Sequence, residues 1–119
     1  MRRPDRLVEK RKFVRFARTF GVNIIALGRK KTLPKLNHET GVTLSLGGVL
    51  IRCERSIAKG SRVTLKIMMA RNGQYKTSVA SARIVWCKRS FDPRTTYYIG
   101  AKFERLSPDN RAGIRWFFK

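Results

Sequence analysis

Residues 62–86 read RVTLKIMMARNGQYKTSVASARIVW, and their pattern is the clearest structural signal in the chain. Apolar residues occupy alternate positions on both sides of a central turn: Val63, Leu65, Ile67 and Met69 before it, and Ala80, Ala82, Ile84 and Trp86 after it. Such alternation is typical of strands with one buried face. Asn72-Gly73 favours a tight hairpin, because both residues tolerate positive φ. The stretch therefore predicts two antiparallel strands, with Trp86 on the packed side.

Shorter runs on both sides of this hairpin predict further strands. A run containing Val22 and Ile24 ends near Leu27. Two later runs alternate in the same way: Val49, Ile51 and Cys53, and then Tyr97, Ile99, Ala101 and Phe103. Several short strands joined by tight turns are typical of a barrel or a sandwich. Because a closed barrel removes exposed sheet edges, we predict a small antiparallel β-barrel.

The end of the chain predicts a helix. Ser107-Pro108-Asp109 provides a hydroxyl cap, a proline at the first helical position and an acid near the positive end of the helix dipole. Ile114, Phe117 and Phe118 follow at helical spacing and form one apolar stripe. We expect this helix to pack on the barrel, so that the fold class is all-β with a C-terminal helix.

The expected organisation has three parts. Residues 1–18 form a basic arm, residues 19–106 form the barrel and residues 107–119 form the helix. A polar connection at residues 28–35 contains a glycine and a proline, and we interpret it as an exposed loop. A chain of 119 residues has room for one domain of this kind.

The charge of the chain is strongly unbalanced. Its 28 lysines and arginines face 7 aspartates and glutamates, which gives a formal net charge of +21. An excess of one sign attracts polyanions and anionic surfaces. Partners that carry phosphate are therefore the first class to consider.

An enzyme is the class with the least support. The few carboxylates are scattered, and the single histidine, His38, offers neither a catalytic triad nor a zinc cluster. Gly47-Gly48 is not a phosphate-binding loop of the P-loop type, because no Gly-Lys-Ser/Thr follows it. Cys53 and Cys87 lie in apolar runs and are expected to be buried thiols. We therefore predict no catalytic residue, no metal site and no cofactor.

The cellular location is predicted from two kinds of segment that the sequence lacks. No apolar run approaches the roughly 20 residues that span a bilayer. The first residues also lack the apolar stretch of a secretory signal. We expect a cytoplasmic protein, as a monomer or a weak dimer.

Two short segments carry more specific information. The first is Arg11-Lys12-Phe13-Val14-Arg15, an RxxxR pattern, and the second is Thr43-Leu44-Ser45-Leu46-Gly47-Gly48, which leads into an apolar strand. With the later segments 82–86 and 99–103 and the helix, they make the chain resemble the PilZ domain family. That family opens with RxxxR, continues with [D/N]xSxxG at the start of a strand, and then has strands of the "GRVVW" and "GVxF" types. The resemblance covers residues 9–118 in the right order.

The resemblance implies a barrel of about six antiparallel strands with a C-terminal helix, and a role in binding rather than catalysis. It also implies a ligand, the bacterial second messenger cyclic di-GMP, held outside the barrel and clasped by the N-terminal arm. Arg11 and Arg15 match the paired arginines of the family, and Ser45 and Gly48 match the second motif. Lys10 stands where many members carry another arginine.

These residue types suit the chemistry of such a ligand, which has two phosphates and two flat guanines. Arginine binds phosphate oxygens with two parallel hydrogen bonds, stacks on aromatic planes and can recognise the edge of guanine. Ser45 supplies a short hydroxyl donor or acceptor. Gly47 and Gly48 allow a base or phosphate to approach the backbone and permit unusual φ angles.

One position departs from the family pattern. Thr43 stands where the family has Asp or Asn, whose side chain can pair with the edge of a guanine. Losing one good hydrogen-bonded pair costs roughly 1–3 kcal/mol, or about one to two powers of ten in affinity. The substitution therefore predicts weakened binding or a domain that has lost the ligand.

Three functions remain open on the sequence. The first is a cyclic di-GMP receptor that signals through an unidentified downstream protein, and the second is an adaptor that binds only protein. The third is a basic barrel that binds nucleic acid, which would depend steeply on salt and on strand length. The aromatic residues Trp86, Trp116, Phe117 and Phe118 are interpreted as core or helix–barrel packing.

Overall fold

The computed structural model describes residues 18–31, 39–90 and 96–119. The described residues form seven strands and one helix: β1 (Arg18–Leu27), β2 (Lys30–Lys31), β3 (Thr40–Leu44), β4 (Gly48–Cys53), β5 (Arg62–Arg71), β6 (Gln74–Ser90), β7 (Thr96–Arg105) and α1 (Pro108–Phe118). Every strand pairs antiparallel with its neighbours in one sheet, in the order β2-β1-β5-β6-β7-β4-β3.

The sheet curls until β1 and β3 meet, which nearly closes a barrel of six strands. The backbone N–H of Ile24 on β1 donates to the Glu39 carboxylate just before β3. The Phe20 ring lies directly over Gly41 on β3, where a Cβ would come within 2.3 Å of the ring. The short β2 extends only one end of β1. The predicted antiparallel barrel of about six strands with a C-terminal helix is therefore confirmed.

The barrel core consists of the alternate apolar residues that the sequence pattern identified. Ile51, Val63, Leu65, Ile67 and Ile99 are fully buried. Fully burying each of these side chains contributes about 1.5–3 kcal/mol relative to exposure, so the core is the main source of stability. The predicted β5–β6 hairpin is present.

The turn of that hairpin is the one that its sequence favours. Asn72 has φ 51° and Gly73 has φ 78°, so both residues adopt the left-handed conformation of a two-residue hairpin turn. Arg71 and Gln74 pair directly across it. The turn therefore fixes the register of the two longest apolar runs.

Helix α1 begins with the predicted cap. The hydroxyl of Ser107 accepts a hydrogen bond from the Asn110 backbone N–H at 3.2 Å, and Pro108 occupies the first turn. Asp109 lies in the same turn, where a negative charge is stabilised by the helix dipole. The sequence signal for the start of the helix is confirmed.

The inner face of α1 packs on one end of the barrel. Ile114 and Phe117 are buried, and the Phe117 ring meets the Phe20 ring edge-on at 6.1 Å between centroids. The Ser78 hydroxyl on β6 donates to the Asn110 carbonyl at 2.9 Å, and the Val79 backbone N–H donates to the Asn110 side chain at 3.0 Å. These contacts seat the helix on β6 by both apolar and polar interactions.

Two arginines cap the other end of the helix. Arg71 donates to the Trp116 carbonyl at 2.7 Å, and Arg18 donates to the Lys119 carbonyl at 2.7 Å. Cations at this end satisfy free carbonyls and complement the helix dipole. Trp116 is half-buried, with Lys76 located 5.2 Å from its ring centre.

Helix α1, the one helix of the described residues, does not have the length and apolarity that crossing a bilayer requires.

Candidate functional site

The turn between β3 and β4 contains the second sequence motif, and Ser45 holds it together. The Ser45 backbone N–H donates to the Gly48 carbonyl at 2.9 Å. Its hydroxyl donates to the same carbonyl at 3.1 Å and accepts from the backbone N–H groups of Gly47 and Gly48 at 3.3 and 3.1 Å. Leu44 is buried and anchors the turn on the core side. The serine therefore shapes the turn, and a ligand contact by Ser45 stays a prediction.

The two glycines of this turn meet very different surroundings. A Cβ on Gly48 would be 2.3 Å from the Ala101 carbonyl oxygen on β7, whereas a Cβ on Gly47 would have no neighbour within 4 Å. The Gly47 carbonyl accepts from the Phe103 backbone N–H at 2.9 Å, which ties the turn to β7. Close packing against β7 thus requires glycine at position 48. The backbone at Gly47, by contrast, has free space around it.

Neither glycine adopts a positive φ angle, although glycine permits one. The positive-φ glycines of the described residues are Gly28, Gly60 and Gly73. Gly48 is already part of the extended strand β4. The conformational freedom that these glycines permit is therefore not used at this turn, and Gly48 instead provides space for close packing.

Thr43 lies on the outer surface of β3, immediately before the turn. The pairing with β4 shifts between Gly41 and Thr43, so that Val42 is an additional, unpaired residue. Both Val42 and Thr43 are exposed. The hydroxyl of Thr43 is therefore accessible from outside the barrel, at the position where the family pattern has Asp or Asn.

Trp86 lies outside the barrel, and its predicted packing role in the core was wrong. The pairing of β6 with β7 shifts between Ile84 and Trp86, which leaves one extra residue in β6. Such a bulge reverses the alternation of inward and outward side chains. Ile84 is buried, whereas Trp86 is 43% exposed. The other predicted packing aromatics are divided between the core and the surface, since Phe117 is buried and Phe118 is 41% exposed.

The indole of Trp86 lies across Gly100 on the neighbouring strand. A Cβ on Gly100 would come within 2.4 Å of the indole nitrogen and 2.5 Å of the adjacent ring carbon. Only glycine allows the ring to lie this close to the backbone of β7. Gly100 therefore holds the indole low against the sheet, with part of its surface open to solvent.

The β3–β4 turn and Trp86 border one shallow depression on the outside of the barrel. Its volume is about 420 Å³, and its lining combines the sequence motif with residues of β6 and β7: Thr43, Ser45, Gly47, Gly48, Val49, Leu50, Val85, Trp86, Gly100, Ala101 and Lys102. The depression has a hydroxyl and open backbone on one side, an aromatic ring on another and a cation at Lys102. This combination can accommodate a flat, negatively charged molecule.

The charges beside the depression are mostly positive. Arg83 and Lys102 are direct neighbours across β6 and β7. Glu104 forms ion pairs with Arg83 at 2.7 Å and with Arg62 at 3.4 Å. The hydrogen bond from Arg83 holds the pKa of Glu104 below its usual value. The carboxylate is thus already paired, and Lys102 is left to face the depression.

The arm residues of the predicted site, Lys10, Arg11 and Arg15, lie outside the described residues, as does His38. Their part in the site stays a prediction. Trp86, Gly100 and Lys102 are the residues that sequence reasoning missed. A signal for Trp86 was present, because Ile84-Val85-Trp86 places three apolar residues in succession and so breaks strict alternation.

The expectation of two buried thiols is confirmed for Cys53 and only partly met by Cys87. Cys53 and Cys87 are free thiols, the first buried and the second half-buried. Burial raises the pKa of the Cys53 thiol, which disfavours the reactive thiolate. No group of three potential metal ligands occurs within the described ranges.

The family model of the PilZ domain matches residues 9–119 of the chain. Neither the curated proteins nor the solved structures gave a match. The matched range includes both sequence motifs, all strands of the barrel and helix α1. The chain therefore belongs to the PilZ domain family.

Proposed function

We propose that this protein is a cytoplasmic cyclic di-GMP receptor that signals through a protein partner. PilZ domains as a family are binding and adaptor modules for this messenger rather than enzymes. The observation that carries the proposal is the depression in which the β3–β4 turn and the half-exposed Trp86 lie side by side. It offers polar groups and an aromatic surface to a ligand that has both anionic and flat parts.

In the proposed complex, Arg11 and Arg15 bind the phosphates from the arm, with Lys10 as a third cation. Guanidinium groups suit this task, because they bind phosphate oxygens through two parallel hydrogen bonds. One guanine stacks on Trp86, and Thr43 and the open backbone at Gly47 face its edge. The ligand thereby draws the arm against the barrel and changes the surface offered to the partner.

Calorimetric titration with cyclic di-GMP at physiological salt tests this function. GTP and a short single-stranded oligonucleotide serve as controls for general attraction to anions. Saturable binding of the cyclic dinucleotide, with weak binding of both controls, is the expected result. Binding that grows with oligonucleotide length and falls steeply with salt would instead indicate a nucleic-acid binder.

Replacing Trp86 with Ala is expected to weaken cyclic di-GMP binding by about 5- to 150-fold. Stacking of a base on an aromatic side chain contributes roughly 1–3 kcal/mol, and 1.4 kcal/mol corresponds to a factor of ten. Titration of the variant measures this loss. Tyr75→Ala is the matched control, because Tyr75 lies on the same strand, is 80% exposed and does not line the depression. Equal affinities of the two variants for cyclic di-GMP would show that Trp86 does not contact the ligand.

Replacing Thr43 with Asp is expected to tighten binding by about 5- to 150-fold. A carboxylate can accept from two N–H donors on a guanine edge, which is worth roughly 1–3 kcal/mol. Thr40→Asp adds the same charge to an exposed position on the same strand and controls for electrostatics. Weaker binding by Thr43→Asp than by Thr40→Asp would contradict the proposed position of the guanine.

The second candidate function is an adaptor that has lost the nucleotide, and Thr43 is the observation that favours it. In that case the wild-type protein would not respond to cyclic di-GMP. Restoration of binding by Thr43→Asp alone would then identify the lost ligand contact.

A further inference from the structure

Helix α1 carries a stripe of positively charged residues on the side that faces away from the barrel. Arg111, Arg115 and Lys119 are spaced four residues apart and all three are exposed. Residues at this spacing lie on one face of a helix. Ile114 and Phe117 occupy the opposite, buried face. The exposed side of the helix and its C-cap therefore carry three cations in a row.

A groove lies beside this stripe, and its apolar lining residues form its floor. Its volume is about 540 Å³, and Leu106, Pro108 and Ala112 line it together with the three cations. It shares no lining residue with the depression at Trp86. The groove therefore forms a second surface of the molecule.

Among the described residues, no carboxylate forms an ion pair with the cations of the groove. Glu104, the acid closest in sequence to the start of the groove, pairs with Arg62 and Arg83 instead. The helix is also fixed in position, because Asn110 bonds to Ser78 and Val79 of β6. The groove thus presents unpaired positive charge on a rigid support, which lowers the cost of binding.

The combination of an apolar floor and a cationic rim indicates what kind of molecule the groove can bind. An acidic amphipathic segment can place apolar side chains on Leu106 and Ala112 and carboxylates on the arginines. A nucleic-acid backbone would use the cations but not the floor. An anionic bilayer surface would likewise contact the exposed cations without requiring the floor. Charge complementarity therefore favours a peptide segment of a protein partner.

We propose that the α1 groove is the docking surface for an acidic amphipathic segment of the partner protein. The inference rests on the proposed function in one respect, namely that the output of the receptor passes through protein contact. It adds the position of that contact and the chemistry of the partner.

A fluorescent amphipathic peptide with glutamates and leucines along one helical face tests this surface by anisotropy. The Arg111→Glu/Arg115→Glu double variant is expected to weaken peptide binding by about tenfold or more. The matched control is Arg52→Glu/Lys59→Glu, which makes the same charge change at exposed positions on β4 and its following loop. Equal losses in both pairs would overturn the proposal, because they would reflect net charge alone.

Two further measurements separate the peptide from other anions. Replacing Ala112 with Gln fills the exposed floor without changing charge, and it is expected to weaken binding of the Glu–Leu peptide. A peptide with Gln in place of every Leu is expected to bind weakly to the wild-type protein. Tighter binding of an oligonucleotide or of phosphatidylserine vesicles, lost in the Arg111/Arg115 variant, would assign the groove to those partners and overturn the proposal.

The cyclic di-GMP titration is repeated on the Arg111→Glu/Arg115→Glu variant. Unchanged nucleotide affinity together with lost peptide binding is the expected result. Nucleotide binding that is absent in the wild-type protein would count against the receptor function, whereas selective peptide binding would still support the groove. The two failures are therefore distinguishable.

Discussion

The Arg15→Ala variant is expected to lose cyclic di-GMP affinity by about two orders of magnitude. In the proposed complex, Arg15 forms a charge-assisted, two-pronged contact with a phosphate. Removing one partner of such a pair costs about 2–5 kcal/mol, and each 1.4 kcal/mol is a factor of ten. Calorimetric titration of wild type and variant at the same salt concentration measures the difference.

Two companion variants show whether the geometry of Arg15 or only its charge is responsible. Arg15→Lys keeps the charge but loses the planar fork, so an intermediate affinity is expected. Arg29→Ala removes the same charge from the exposed turn between β1 and β2, and its affinity should stay close to that of the wild type. A loss in Arg15→Ala no larger than that in Arg29→Ala would refute the proposed phosphate contact.

The Gly48→Ala variant is expected to lower the midpoint of thermal unfolding by about 4–12 °C. The new methyl group would lie 2.3 Å from the Ala101 carbonyl oxygen, which belongs to the backbone and cannot rotate away. Overpacking of this kind costs about 1–3 kcal/mol, and a domain of this size shifts by about 4 °C per kcal/mol. Thermal unfolding followed by circular dichroism measures the change.

Gly47→Ala is the natural control for this effect. The two glycines are adjacent, but a methyl group on Gly47 meets no atom within 4 Å. Its unfolding midpoint is expected to change little, because an exposed substitution away from special features usually alters stability by at most about 0.5 kcal/mol. Similar midpoints for the two variants would show that the contact between β4 and β7 is less tight than the geometry requires.

The fold was predictable because local signals and the hydrophobic pattern agree over most of the chain. Asn72-Gly73 defines the β5–β6 hairpin, and Ser107-Pro108 defines the start of α1. Between such markers, period-two alternation identifies the buried residues of β5 directly. The sequence pattern did not predict β2 or β3. A pair of lysines has no apolar pattern, and Thr40–Leu44 buries only its last residue, so both strands are defined by pairing with β1 and β4.

Only the part of the candidate site formed by the β3–β4 turn was predictable from the sequence. The Thr43–Gly48 motif was identified as a segment, and the structure places Thr43, Ser45, Gly47 and Gly48 around one depression. Trp86 was assigned to the packed side, because alternation was extended through a bulge that no single residue type marks. Strand pairing across distant segments, which brings Gly100 beneath the indole, is a property of the assembled sheet and not of local sequence.

The 17-residue strand β6 contributes to both proposed surfaces. Its first half pairs with β5 and seats helix α1 through Ser78 and Val79, while its second half pairs with β7 and carries Trp86. Each surface can therefore be altered by substitution without touching the other. They cannot be separated by truncation, however, since any fragment that retains the indole in position must also retain the strand on which the helix rests. The proposed ligand site and the proposed docking surface therefore depend on the same strand.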